Sequence, residues 1–173
     1  TIATPKEFCE LLKQAVTVAT DNHLVTLGID PTTPETGYGY IKQGQVLGCG
    51  AFKVNKFVEK PNGATAKKYL EEGGYYWNSG IFVWKVSTLL HEIETHLPEL
   101  HAQLDALTIN TIEAKGKYHY RTFNESGKKK FESLESISID YGLMEKSSNT
   151  AVLPANISWN DVGSWTALSD VSE

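Results

Sequence analysis

The sequence predicts an α/β fold, a mixed β-sheet flanked by helices, and three observations carry that expectation. Residues 5–20 hold apolar side chains at helical spacing. They feed straight into residues 23–29 (His-Leu-Val-Thr-Leu-Gly-Ile), a near-continuous apolar run of the kind found in buried parallel strands. A helix followed by such a strand is a signature of α/β proteins. Farther on, an aromatic run over residues 75–85 lies between two helical segments. With 173 residues the chain can bury a real core, and it fits one domain or a large part of one.

The first helix starts at Thr4-Pro5-Lys6-Glu7. Thr4 is read as its cap, Pro5 suits the first helical position, and Glu7 completes a capping box. Phe8, Leu11, Leu12, Ala15, Val16 and Ala19 form its apolar face, and it ends near Asp21-Asn22. Residues 30–37 form a loop, because two prolines and a glycine do not fit one regular element. Residues 38–43 and 51–59 read as strands, the second stopped by Pro61. A short helix over 64–72 is closed by Gly73-Gly74. After the aromatic strand, Ser87 is read as the cap of a helix carrying Leu89, Leu90 and Ile93. Pro98 interrupts that helix, and residues 98–107 resume it. Residues 108–130 are polar and ambiguous; 131–136 read as helix and 140–146 as a further turn or two. Residues 151–153 read as a short strand, and 159–165 as a loop leading into a final helical turn. The pattern is a mixed sheet whose first strands are expected to be missing.

Composition narrows the function. Hydrophobic residues make up 40% and charged residues 21%, ordinary values for a soluble globular chain. A formal net charge of −5 with no basic stripe argues against a nucleic-acid partner. The run Lys128-Lys129-Lys130 reads as a solvated loop or helix start. No apolar run is long enough to span a bilayer, and no signal peptide is visible, so the expectation is a cytoplasmic protein without a membrane partner. Cys9 and Cys49 lack metal-ligand spacing and read as reduced. The five histidines are scattered and read as surface or packing residues. The chain starts at Thr1, which suggests a piece of something longer.

Four constellations carry chemistry. In Thr36-Gly37-Tyr38-Gly39-Tyr40-Ile41 two glycines let the backbone approach a ligand closely, or simply form a loop-to-strand turn. In Phe57-Val58-Glu59-Lys60-Pro61 a carboxylate and an ammonium stand at a strand end, either as a surface ion pair or as groups for sugar hydroxyls and a phosphate. Trp77-Asn78-Ser79-Gly80 puts an amide inside an aromatic strand, where Asn is depleted. Asn78 either pairs locally at a bulge near Gly80 or faces a ligand's hydroxyls. In Trp159-Asn160-Asp161-Val162-Gly163-Ser164-Trp165, Asp161 either caps the final helix or ligates Mg²⁺, shielded by the tryptophans.

Taken in order, these segments and Ser138-Ile139-Asp140-Tyr141-Gly142-Leu143-Met144-Glu145-Lys146 resemble the bacterial mannose-1-phosphate guanylyltransferases, a sugar-nucleotidyltransferase family. The resemblance covers nearly the whole chain. It implies a Rossmann-like nucleotidyltransferase fold, a Mg²⁺ cofactor, and transfer of GMP from GTP to mannose 1-phosphate with release of pyrophosphate. By motif it implies that Gly39 approaches the sugar through its backbone and that Asn78 lies against it. Glu59 would bind sugar hydroxyls, Lys60 the sugar phosphate, and Asp161 the metal. The motif over 138–146 marks the family without an assigned ligand contact, and no residue is assigned as catalytic.

The family's glycine-rich loop for the triphosphate, and a second metal-binding Asp, are not in this sequence. The expectation is therefore an incomplete fold lacking its N-terminal nucleotide-binding strands, with residues 1–173 as the C-terminal, sugar-phosphate-binding part of the catalytic domain. Base specificity and the exact sugar stay open, as does a homodimer. So do two alternatives: a glucose-1-phosphate nucleotidyltransferase, or a non-catalytic sugar-phosphate-binding regulatory domain.

Overall fold

The computed structural model describes residues 1–107, 109–163 and 165. Its elements are α1 (Pro5–Thr20), β1 (Leu24–Ile29), β2 (Tyr40–Gly48), β3 (Ala51–Val58), α2 (Gly63–Glu72), β4 (Tyr75–Val83), α3 (Val86–His96), α4 (Pro98–Asp105), β5 (Ile109–Lys115), β6 (Tyr118–Phe123), α5 (Glu125–Glu132), a π-helical turn (Asp140–Met144) and β7 (Thr150–Pro154).

The α/β expectation holds, with a mixed sheet. Strand β1 pairs in parallel with β7 and antiparallel with β4, while β2 pairs antiparallel with both β3 and β4. The sheet also curls further than a flat flanked sheet. Two residue pairs, Phe52 with Val152 and Lys53 with Ala151, join β3 to β7 and close the strands into a ring in the order β1-β4-β2-β3-β7. Register shifts along the β2–β3 ladder accompany that curl, as irregularities that sharpen strand twist do. The turn between these strands has Cys49 at φ 49° and Gly50 at φ 77°, the left-handed pair that a tight two-residue hairpin requires.

The helix ends need several corrections. Thr4 makes no capping hydrogen bond; its backbone (φ −117°, ψ 75°) is not in the extended cap conformation, and its Oγ1 is buried without a partner among the described residues. Val16, expected on the apolar face of α1, is 53% exposed, and the buried face is formed by Ala15, Val18 and Ala19. Lys85 rather than Ser87 precedes α3, again without a side-chain cap. The cap of α2 is Asn62, whose side chain accepts from the Thr65 N–H at 2.9 Å. Pro98 does break α3 from α4. The ambiguous polar stretch folds into the β5–β6 hairpin, followed by α5, which ends where the sequence suggested a helix to begin. The expected final turn beyond Trp165 lies outside the described residues.

Ala15, Val18 and Ala19 pack against Val25, Leu27, Ala151 and Leu153, so α1 seals one face of the β1–β7 pair. A second cluster, with Leu24, Ile41, Phe57, Leu143, Met144 and Val152, binds the π-helical turn to the ring. A third, with Tyr40, Ala66, Tyr69, Tyr75 and Trp77, seats α2. Burial of this kind stabilises by roughly 25 cal/mol per Å² of apolar surface. The π-helical turn is thereby fixed against the strand ends that carry the polar motifs.

Candidate functional site

Asn78 stands where the β1–β4 register slips between Thr26 and Gly28, two residues before Gly80 at φ 72°. Its backbone N–H donates to the Gly39 carbonyl at 2.8 Å, which ties β4 to the chain entering β2. Its side-chain oxygen accepts from the Thr26 hydroxyl at 2.9 Å and from the Gly80 N–H at 3.2 Å. Its amide nitrogen donates to Asp140 Oδ1 at 3.0 Å. One partner of this oxygen, the Gly80 N–H, is local, whereas the other, Thr26, lies 52 residues away on β1. An amide nitrogen carries two hydrogens, so one N–H is left over.

Gly39, Asn78 and Glu59 converge. A Cβ on Gly39 would lie 2.5 Å from Glu59 Oε2 and 3.2 Å from the Asn78 Cβ, so a larger residue would have to displace the Glu59 carboxylate. The Glu59 side chain is 8% exposed. Its Oε1 meets Lys60 Nζ at 3.0 Å, but its Oε2 is buried with no partner among the described residues. Leaving a buried acceptor unpaired costs about 1–3 kcal/mol, and more for a charged group. This is not a solvated surface pair: the lysine is 57% exposed and its partner carboxylate is buried.

Lys60 adopts φ 47°, a left-handed conformation costly for a residue with a side chain. The Glu59 N–H donates to Glu145 Oε1 at 2.8 Å, which holds the chain just before that kink. The hydrogen bond from Lys60 to Glu59, then the Glu59 charge, push the Lys60 pKa up against desolvation, with lesser support from Tyr141 and Asp140. Lys60 therefore stays cationic.

Asp161 lies at the far side of Tyr38. It is exposed, and its Oδ1 accepts from the Tyr38 hydroxyl at 3.0 Å and the Gly163 N–H at 3.1 Å. Tyr38 packs edge-on against Trp77 and Trp159, with ring centroids 5.2 and 5.4 Å away. Its pKa is pushed up to about 12, first by burial, then by the hydrogen bond to Asp161 and the charges of Asp161 and Glu35. The tryptophans do not shield Asp161 as a pair, since Trp165 is 88% exposed. Among the described residues no three His, Cys, Asp or Glu side chains gather as a metal cage.

Sequence reasoning missed four members of this network: Thr26, Tyr38, Asp140 and Glu145. A hydroxyl at Thr26 in an otherwise apolar strand was one signal. The motif over 138–146 was another, noticed without a contact. Its π-helical turn buries Gly142, Leu143 and Met144 and presents Asp140 to Asn78 and Glu145 to Glu59 from its two ends. A cavity of about 800 Å³ lies elsewhere, along α1 between Pro5 and Gln14 with Asn156 and Ile157. Its lining includes Lys6, Glu7, Glu10, Gln14 and Asn156, and none of Gly39, Glu59, Lys60 or Asn78.

A profile of the nucleotidyl transferase family matches residues 2–173, essentially the whole chain. The chain belongs to the nucleotidyl transferase family. Among individual relatives, the chain is 39% identical to mannose-1-phosphate guanylyltransferase 2 of Escherichia coli O157:H7, over 99% of this chain and 36% of the relative. It is 45% identical to the xanthan biosynthesis protein XanB of Xanthomonas campestris, over 92% of this chain and 32% of that protein. The chain therefore spans about a third of the length of these curated relatives. Its fold matches a crystal structure described as mannose-6-phosphate isomerase from Helicobacter pylori, with TM-score 0.82 and 28% identity over 93% of this chain and 60% of that one. It also matches a protein described as mannose-1-phosphate geranyltransferase from Thermus thermophilus, with TM-score 0.80 and 33% identity over 100% of this chain and 47% of the other.

Proposed function

We propose that the protein transfers GMP from GTP to mannose 1-phosphate, giving GDP-mannose and pyrophosphate, and that residues 1–173 form the sugar-phosphate-binding part of its catalytic domain. The observation that carries this is Glu59 Oε2, a buried and unpartnered acceptor facing Gly39 and Asn78, with the Lys60 ammonium beside it. An orphaned acceptor asks for a donor, and sugar hydroxyls supply donors. Relatives named as mannose-1-phosphate guanylyltransferases support the choice of sugar and of guanine nucleotide. Among the described residues no helix is long and apolar enough to cross a membrane, and the substrates go with a cytoplasmic enzyme.

The chemistry asks this chain to position rather than to react. An oxygen of the sugar phosphate attacks the α-phosphorus of GTP; the new P–O bond forms as the bond to the β-phosphate oxygen breaks and pyrophosphate leaves. Glu59 and Asn78 hold the sugar ring by its hydroxyls, and Gly39 admits the ring close to the backbone. Lys60 neutralises the sugar phosphate and so lessens its repulsion from the triphosphate. Asp161 is exposed, and its Oδ2 has no hydrogen-bond partner among the described residues, which fits one carboxylate arm of a Mg²⁺ that keeps waters and phosphate oxygens as its other ligands. Such an ion, when bound, neutralises phosphate charge. Tyr38 and the Gly163 N–H orient that carboxylate.

Pyrophosphate release by the full-length gene product tests this, with GTP and mannose 1-phosphate as substrates. Turnover should be selective for that pair. Equal use of glucose 1-phosphate or of other nucleoside triphosphates would point to another member of the family. No turnover despite calorimetric binding of mannose 1-phosphate would point to a regulatory domain.

A further inference from the structure

We propose that Asp140 is a positioning residue that fixes the polarity of the Asn78 amide, so that the pocket offers an N–H at Asn78 and a carboxylate oxygen at Glu59. The pocket would then accept only a ligand edge that accepts a hydrogen bond at Asn78 and donates one at Glu59. This inference rests on the sugar-phosphate role proposed above.

Three neighbours surround the Asn78 amide. The Gly80 backbone N–H, 3.2 Å from the side-chain oxygen, can only donate. The Thr26 hydroxyl, 2.9 Å from the same oxygen, can turn either way, and the Ile81 carbonyl stands 3.4 Å from it as a second acceptor. Asp140 Oδ1, 3.0 Å from the amide nitrogen, can only accept when ionised. A flipped amide would set N–H against the Gly80 N–H, and oxygen against the Asp140 carboxylate. Gly80 and Asp140 therefore select one orientation between them. Gly80 belongs to β4 itself, whereas Asp140 reaches in from 62 residues away, on a turn anchored by buried Leu143 and Met144.

The saturated Asn78 oxygen is then unavailable to a ligand, and the remaining N–H is the group Asn78 can offer. Glu59 Oε2 supplies the opposite polarity a short distance away, across Gly39.

Two variants of the full-length protein, Asp140→Ala and Asp140→Asn, separate positioning from bulk stability. The Asn variant keeps a carbonyl acceptor for the Asn78 amide, and the Ala variant does not. With asparagine ¹⁵N-labelled and no ligand present, the Asn78 side-chain amide signals should move and exchange faster in Asp140→Ala. In Asp140→Asn they should stay near the parent's. Calorimetry with two probes supplies the second readout. Asp140→Ala should bind mannose 1-phosphate roughly tenfold or more weakly, while inorganic phosphate binds about as in the parent or more tightly. Asp140→Asn should recover most of the sugar-phosphate affinity. Three results would overturn the inference: unchanged Asn78 signals in Asp140→Ala, equal weakening of both probes, or an Asn variant as impaired as the Ala variant. Should the parent bind neither probe, the sugar-phosphate role itself fails, and the Asn78 signals still decide what Asp140 does.

Discussion

Glu59 and Asp161 are both carboxylates assigned to a ligand, yet the fold treats them in opposite ways. Glu59 is buried, its backbone held by Glu145, one oxygen paired with Lys60 and the other left without a partner. Asp161 is exposed, and its bonded oxygen is oriented by Tyr38 and the Gly163 N–H. The difference matches two kinds of ligand. Neutral hydroxyls are read best by a rigid, dry acceptor whose hydrogen bonds are not shared with water. A Mg²⁺ ion keeps much of its hydration, so its carboxylate can stay in solvent. In the proposed site, burial thus separates the end assigned to sugar from the end assigned to metal.

The sharpest way to break that comparison is Asp161→Asn in the full-length protein. Asn keeps the shape and still accepts from Tyr38 and Gly163, but it loses the charge. Turnover should fall by about tenfold to a hundredfold and recover in part at high Mg²⁺, with an unchanged melting temperature. A parent-like Mg²⁺ titration would leave Asp161 as a purely structural residue.

Glu59→Gln probes the other carboxylate. It removes a buried charge while roughly keeping the volume, and Gln cannot offer two acceptor oxygens. Affinity for mannose 1-phosphate should drop by roughly tenfold or more, the size expected for hydrogen bonds to a charged group. Stability should change little, because the buried charge is gone while an amide group still occupies the unpartnered position. A marked loss of stability with intact binding would mean that Glu59 serves the fold.

These two residues also mark where the sequence was legible. Glu59-Lys60-Pro61 and Asp161 stand in local motifs whose residue types announce their chemistry, and the α1–β1 pattern follows from periodicity alone. The partners of Asn78 do not. Asp140 is 62 residues away and Thr26 is 52, and which side chain reaches Asn78 depends on the strand order and on a register slip at Gly28. The same limit explains the caps. Thr4 has the right chemistry for a cap but the wrong backbone angles, whereas Asn62 has both. The β5–β6 hairpin escaped because residues 109–123 are polar and lack the strict alternation that reveals a half-buried strand.

Gly39→Ala sharpens the sugar end more gently. Its new Cβ would sit 2.5 Å from Glu59 Oε2, and a side-chain tip can swing aside at modest cost. Affinity for mannose 1-phosphate should fall by severalfold to tenfold, within the roughly 1–3 kcal/mol typical of crowding a packed site. The informative measurement is a double-mutant cycle. In a Glu59→Ala background the same Gly39→Ala change should cost much less, since the atom it displaces is absent. Full additivity would mean that Gly39 and Glu59 do not share the pocket.

The smallest expected effect lies at the joint between the two ends, in Tyr38. Its hydroxyl is half-buried and donates to Asp161, so its proton is held until about pH 12, whereas an unfolded tyrosine loses its proton near pH 10. The raised value means that the unfolded chain binds fewer protons than the folded one across that window. Stability from this group is therefore fully present below about pH 10 and is lost as pH rises toward 12. Tyr40, Tyr75 and Tyr76 are raised in the same direction, so the parent alone cannot isolate Tyr38. The difference between parent and Tyr38→Phe can. Phe keeps the edge-on packing against Trp77 and Trp159 and cannot ionise. Denaturant unfolding at pH 8, 10 and 11 should show the variant less stable at pH 8, by the lost hydrogen bond to Asp161, with the gap narrowing as pH rises. A gap that stays constant from pH 8 to 11 would mean that Tyr38 does not hold its proton, and that the link between Asp161 and the sugar end is looser than its 3.0 Å contact implies.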